Sequence, residues 1–138
     1  MFPDDLTTAV LTQAMAGYSA RNTAIANNIA NADTPGYKRV DVTFESALAD
    51  AVDADRARLR MDAGSSISAI DGSDVTRQVD EVAPNVMSTD TTTMRVDGSN
   101  VDPDDEMARL SANQLASSTV VSLLDKRFQQ FRTAITGR

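Results

Sequence analysis

Asp102-Pro103-Asp104-Asp105-Glu106-Met107 opens the longest periodic run in this 138-residue chain, which continues to Ile135. Asp102 is placed to cap a helix, and Pro103 suits its first position, where a missing N–H is no loss. Asp104, Asp105 and Glu106 favour the positive end of the helix macrodipole, and Lys126, Arg127, Arg132 and Arg138 lie toward the end that favours cations. Met107, Leu110, Gln114, Ser117, Val121, Leu124, Phe128, Phe131 and Ile135 advance by alternating threes and fours, and seven of these nine are apolar. One stripe therefore runs the length of the segment, with Gln114 and Ser117 as polar members able to fix register in a packed seam. At a rise of roughly 1.5 Å per residue, such a helix reaches about 45 Å.

A second long helix is predicted at the other end, from a cap at Asp4 or Asp5 to about Ala32. Leu11, Tyr18, Ile25 and Ala32 recur every seven residues, with Met15 and Ile29 on the same side. Ala9, Ala14, Ala16, Ala20, Ala24 and Ala26 permit close approach, while Gly17 weakens the middle by about 1 kcal/mol relative to Ala. Two long helices at the ends of one chain predict a mainly α fold in which they pair antiparallel as a coiled coil. Residues 1–40 and 101–138 then form one domain, and 41–100 an acidic, partly flexible excursion. Leu6 and Val10 on the first helix, and Leu115, Val120 and Leu123 on the second, lie off the main stripes. A two-helix pair cannot cover both sides, so this surplus apolar surface predicts subunit contacts.

The first helix ends in Ala26-Asn27-Asn28-Ile29-Ala30-Asn31-Ala32-Asp33-Thr34-Pro35-Gly36-Tyr37-Lys38-Arg39. Each asparagine is less favourable than alanine in a helix interior by roughly 0.5–0.7 kcal/mol, because its amide competes for backbone groups. Three in five positions predict amides that hydrogen-bond beyond their own helix. Thr34-Pro35-Gly36-Tyr37 reads as a type II turn, with Pro presetting the second position and Gly accepting the positive φ of the third.

Between the ends, a short helix is predicted from Phe44 to about Leu59, capped by Thr43, with Phe44, Leu48, Ala51 and Val52 inward. Asp53, Asp55, Arg56, Arg58 and Arg60 read as a solvated face, and 62–73 as loop. Val75–Val82 suggests a strand and Thr91–Val96 a second one before the Asp97-Gly98 turn, together a small hairpin-like element around Pro84 to Asp90. Such a ribbon is marginal alone, so the segment is expected to order against partners.

Composition narrows the chemistry. Net charge is −7; residues 71–106 carry ten acids and two bases, whereas 107–138 carry one acid and five bases. That asymmetry invites complementarity between copies or partners and argues against nucleic acid, which wants a basic face. There is no Cys and no His, so disulfides, thiolate sites and the usual general base are absent. No Gly-rich phosphate loop or nucleophile elbow occurs. The acids around 102–106 lack EF-hand spacing and read as helix capping. No catalytic, cofactor-binding or metal residues are assigned, and the chain is not read as an enzyme. No apolar run is long enough to span a membrane, and the N-terminus lacks the basic and apolar regions of a secretory signal.

On the wording of 26–39, followed by Phe44-Glu45-Ser46-Ala47-Leu48, the chain resembles the axial proteins of the bacterial flagellum, the rod, hook and junction family. Ala32–Lys38 is similar to that family's rod-proximal form. The C-terminal block matches as well, through Ser99-Asn100-Val101-Asp102, Glu106-Met107, Asn113-Gln114-Leu115, Leu123-Leu124 and Lys126-Arg127-Phe128 to Phe131-Arg132-Thr133-Ala134-Ile135. The match covers about half the chain, at both ends, and leaves 60–95 without a motif.

The resemblance implies export by the flagellar type III apparatus and assembly in the periplasm at the base of the rod. Its implied partners are copies of itself, other rod proteins, the membrane-proximal adaptor and the export gate. The expected subunit-interface residues are Asn27, Asn28, Ile29, Asn31, Asp33, Thr34, Pro35, Gly36 and Tyr37, with Leu110, Gln114, Val121, Leu124, Phe128, Phe131 and Ile135 on the second stripe. A distal rod or hook-junction protein, or a soluble helical adaptor or chaperone, is the alternative.

Overall fold

The computed structural model describes residues 6–62, 77–89 and 98–137. In chain order these form α1 (Leu6–Ala30), β1 (Val40–Thr43), α2 (Glu45–Asp62), α3 (Arg77–Asp80), β2 (Asn85–Ser88) and α4 (Pro103–Thr136). The long terminal helices are those expected. α4 begins as its sequence dictates: Asp102 Oδ1 accepts from the Asp104 N–H at 3.0 Å, and the Asp102 carbonyl accepts from the Glu106 N–H at 3.0 Å.

α1 tightens before it stops, with the Asn31 N–H shared between the Asn27 and Asn28 carbonyls and the Ala32 N–H reaching the Ile29 carbonyl at 3.3 Å. The turn then closes from the Tyr37 N–H to the Thr34 carbonyl at 3.2 Å, with Gly36 at φ +74°. These are the features of the predicted type II turn.

The middle departs from expectation in three places. β2 does not pair with a neighbour in sequence; it runs antiparallel to β1, with Val40 opposite Ser88 and Thr43 opposite Asn85. The strand predicted over 75–82 is instead, at Arg77–Asp80, the single helical turn α3, anchored by Val79, which is fully buried and donates its N–H to Asp55 Oδ2 at 3.3 Å. Asp55 is accordingly inside and not on the solvated face. The predicted run 91–96 and the loop at 63–73 lie outside the described residues. α2 begins one residue later than expected. Phe44, not Thr43, supplies the carbonyl for the first helical bond, from the Leu48 N–H at 2.8 Å, and the Glu45 carboxylate accepts from the Phe44 N–H at 3.3 Å. Phe44, Leu48 and Ala51 are buried as predicted.

The chain divides into two compact units, each taking part of both terminal helices and part of the middle. One comprises Met1–Met15, Phe44–Ala83 and Val120–Arg138, and the other Ala16–Thr43 and Pro84–Thr119. The first buries Ala14, Phe44, Leu48, Ala51, Asp55 and Val79, and the Gln13 side-chain amide donates to the Val82 carbonyl. In the second, α1 and α4 run antiparallel. Asn28 near the end of α1 meets Glu106 at the start of α4, and Tyr18, further back on α1, meets Asn113, further on in α4.

The seams differ from the heptads read in the sequence. Ala24, Ile25, Asn28 and Ala32 are buried, but Met15 is 40% exposed. On α4 the buried residues are Glu106 and Asn113, both polar, and the apolar stripe lies half-buried or exposed. Burying a polar residue costs less where it is hydrogen-bonded: both Glu106 oxygens are bonded, and Asn113 Nδ2 donates to the Tyr18 carbonyl at 3.0 Å.

Candidate subunit-interface site

Asn28 is the centre of the motif 26–39. Its side chain is fully buried, and both of its polar atoms are used twice. The amide Nδ2 donates to the Val40 carbonyl at 2.8 Å and to Glu106 Oε2 at 3.0 Å. Oδ1 accepts from the Val40 N–H at 2.9 Å and from the Tyr37 hydroxyl at 3.2 Å. With two donor hydrogens and two lone pairs, an asparagine can do no more. The Val40 peptide is held at both its N–H and its C=O, as a neighbouring strand would hold it.

Glu106 takes its second oxygen to Arg39, whose Nε donates to Oε1 at 2.6 Å, while Arg39 Nη2 reaches Asp41 Oδ2 at 3.0 Å. Burial works against the Arg39 charge, but the bond to Glu106 and the Asp41 and Glu106 carboxylates outweigh it and raise the guanidinium above its ordinary value. The pair is therefore a charged one with satisfied geometry. Removing one partner of such a pair strands the other and costs about 3–5 kcal/mol.

Side chains complete the strand edge. Val42 has its carbonyl bonded by Arg21 Nε and Nη2 at 3.0 and 2.8 Å, and its N–H bonded to Asp41 Oδ1 at 2.9 Å. Beyond the last ladder pair, Asn100 is wedged between the strands: its Oδ1 accepts from the Arg39 N–H at 2.7 Å and its Nδ2 donates to the Thr89 carbonyl at 2.6 Å. Lys38 Nζ donates to the Gly98 carbonyl at 3.0 Å, and Ser99 Oγ approaches the Ala32 carbonyl at 3.5 Å. Gly36 and Gly98, both with positive φ, lie against each other: a Cβ built on Gly98 would stand 3.8 Å from the Gly36 Cα. The two blocks of sequence that carry the resemblance, 26–39 and 99–106, thus form one clasp.

The predicted interface residues fall into distinct groups. Asn28 bonds beyond its own helix, as its amide was expected to, and its partners are within the chain: the Glu106 carboxylate, the Val40 backbone and the Tyr37 phenol. Tyr37 is half-buried and tied to the same amide, and Asn31 is spent locally, its Nδ2 on the Asn27 carbonyl at 2.8 Å and its Oδ1 on the Thr34 hydroxyl at 3.3 Å. Asn27 is exposed, as are Asp33, Thr34, Pro35 and Gly36, while Ile29 is half-buried. On α4, Leu110, Leu124 and Phe131 are half-buried, and Gln114, Val121, Phe128 and Ile135 exposed, Ile135 by 85%. The structure brings the first group together around one turn and leaves the second on the helix surface.

The bonding roles of Arg39, Arg21 and Asn100 are not visible in the sequence, where Arg39 and Asn100 appear only within the family wording and Glu106 as one of the acids at the helix start. Among the described residues no group of three or more His, Cys, Asp or Glu could hold a metal ion, and no helix is long and apolar enough to cross a membrane.

Comparison with known proteins adds three relatives and a family. Residues 10–38, which include most of α1 and its turn, match the family described as flagella basal body rod protein. The chain is 35% identical to the flagellar basal body rod protein FlgB of Borrelia hermsii over 85% of its length and 86% of that protein's. It is 30% identical to the FlgB of Bacillus subtilis, covering 92% and 91% of the two chains. It is 32% identical to that of Cereibacter sphaeroides, covering 99% and 97%.

Proposed function

The chain belongs to the FlgB family of flagellar basal body rod proteins, and we propose from that premise that it assembles helically with other rod proteins into the shaft that transmits torque and conducts exported subunits. It is a structural subunit of the proximal rod. The observation that carries the assembly reading is the state of α4. From Gln114 to Gly137 no residue is buried, although Leu115, Val121, Leu123, Phe128 and Ile135 lie along it. Exposed apolar residues spread along a helix in this way mark it as a surface for other chains.

The partners proposed are further copies, other rod proteins, the membrane-proximal adaptor and the export gate, with delivery by the type III apparatus into the periplasm. The role proposed is mechanical and not enzymatic. The clasp fixes the direction of the chain where α1 ends, so that the exposed turn 33–36 is presented rigidly for contact.

The test is complementation in a flagellated bacterium lacking its own copy. Wild-type chain should restore motility and be found in purified basal bodies. Val121→Asp with Phe128→Asp, both at exposed positions, should fold in solution yet leave rods unassembled. Normal rods built from that double variant would contradict the assembly role of the stripe.

A further inference from the structure

Asn28 makes its bonds at two ranges of sequence. Val40 is 12 residues away and Tyr37 is 9, and between them they supply three of its four bonds. Arg21, which holds the Val42 carbonyl, is 21 residues from it. The end of α1, its turn and β1 therefore make a frame, 21–43, with side-chain fixings of its own. The fourth Asn28 bond is of another kind, because Glu106 is 78 residues away. Arg39 and Glu106 are tied across 67 residues, Arg39 and Asn100 across 61, and Lys38 and Gly98 across 60.

The stretch 98–106 has an unusual start. Ser99, Asn100 and Val101 belong to no helix or strand, yet all three are buried, Ser99 fully. Irregular chain normally runs over the surface, where water satisfies its backbone. Here it has a seat: Asn100 bridges the Arg39 N–H and the Thr89 carbonyl, and the Val101 N–H turns back to Ser99 Oγ at 3.4 Å. That seat exists only once the frame has its shape. Glu106 sharpens the order, since its carboxylate is withdrawn from water completely. Burying a carboxylate is favourable only against partners already in place, here Asn28 and Arg39. Distant contacts also meet the entropy of loop closure before they stabilise anything.

We infer that residues 98–106 are a strap that closes last over a frame formed without it, and that the strap sets how slowly this unit opens. Contacts absent from the folding transition state govern the unfolding rate and leave the folding rate unchanged. The frame stays open to extension until the strap arrives and is shut afterwards. For the subunit proposed above, this keeps the chain pliable during delivery and fixed once it is in the shaft. The order of closure stands on the geometry of the clasp; only its use in delivery rests on the rod reading.

Stopped-flow circular dichroism of the full chain in urea tests the order, with refolding and unfolding rates measured for each variant. Glu106→Gln sets one donor against another at the clasp, and Asn100→Ala empties the seat between Arg39 and Thr89. Both strap variants should unfold roughly tenfold faster than wild type and refold within about twofold of it. Arg21→Gln, which loosens the frame at Val42, should instead refold about threefold more slowly. Should Glu106→Gln fail to fold, Asn100→Ala gives the same reading. Strap variants that lose stability through slower refolding, or that unfold at the wild-type rate, would overturn the inference. So would an Arg21→Gln chain that refolds at the wild-type rate and only unfolds faster. Recovery of the chain in purified basal bodies reports on the rod reading separately, so contrary rates beside normal incorporation remove only the strap.

Discussion

Three asparagines in five positions do three different things. Asn31 caps the carbonyl of Asn27 and takes the Thr34 hydroxyl, Asn27 faces solvent, and Asn28 is buried with all its bonds made inside the chain. Composition announced unusual hydrogen bonding here, but could not separate the three, because which amide turns inward depends on where β1 and Glu106 lie. Arg39 is the matching case. Its fork bonds Glu106 with one nitrogen and Asp41 with another, a geometry that a lysine ammonium cannot repeat. The guanidinium value is raised in the fold, so its contribution is fully present below the unfolded value and lost only as pH rises through the folded one, beyond any pH at which the protein is handled. Arg39→Lys should therefore do two things in thermal melts. It should lower stability at neutral pH, and it should introduce a further loss relative to wild type as pH approaches about 10, where lysine titrates. Melts of the two proteins that keep a constant difference across that range would argue against a charged role for the position.

At the scale of elements, the long terminal helices and the middle helix α2 were legible, and the strands and α3 were not. Capping by Asp102 and Pro103 and the long stripe specify α4 from local rules alone, and Thr34–Tyr37 specifies its turn in the same way. β1 escaped because four residues, Val40-Asp41-Val42-Thr43, are too short for a periodicity and their edge is completed by side chains from Asn28, Arg21 and Asp41. β2 was misplaced because its partner lies more than forty residues away, and no local pattern announces such a pairing. The burial along α4 divides the helix. Glu106 and Asn113 anchor its first half to α1, whereas no residue from Gln114 to Gly137 is buried. Amide hydrogen exchange on the isolated chain should follow that division, with protected amides from Leu110 to Thr119 and little protection from Val121 to Thr136. Even protection along the whole helix would mean that the second half is stable without partners, against the assembly reading.

At the scale of the molecule, the clasp joins the two blocks of sequence that carry the family resemblance. Residues 28, 39 and 106 are far apart in sequence, and their union ties the end of α1, the start of β1 and the start of α4 into one junction. Apolar burial is spread thinly, through Ala24, Ile25, Ala32, Val42 and Val101 in that unit, so a polar junction of this size decides whether the unit holds its shape. Domains of this size are stable by about 5–15 kcal/mol, and each buried group left without a partner costs roughly 1–3 kcal/mol. A double-mutant cycle on the isolated chain, with Asn28→Ala, Glu106→Gln and the two combined, followed by denaturant unfolding, addresses the clasp directly. Both single substitutions should destabilise strongly, and the pair by less than their sum, with a coupling of roughly 0.5–3 kcal/mol. Strictly additive losses, or an Asn28→Ala chain as stable as Asn27→Ala, would show that the asparagine is not the internal clasp described.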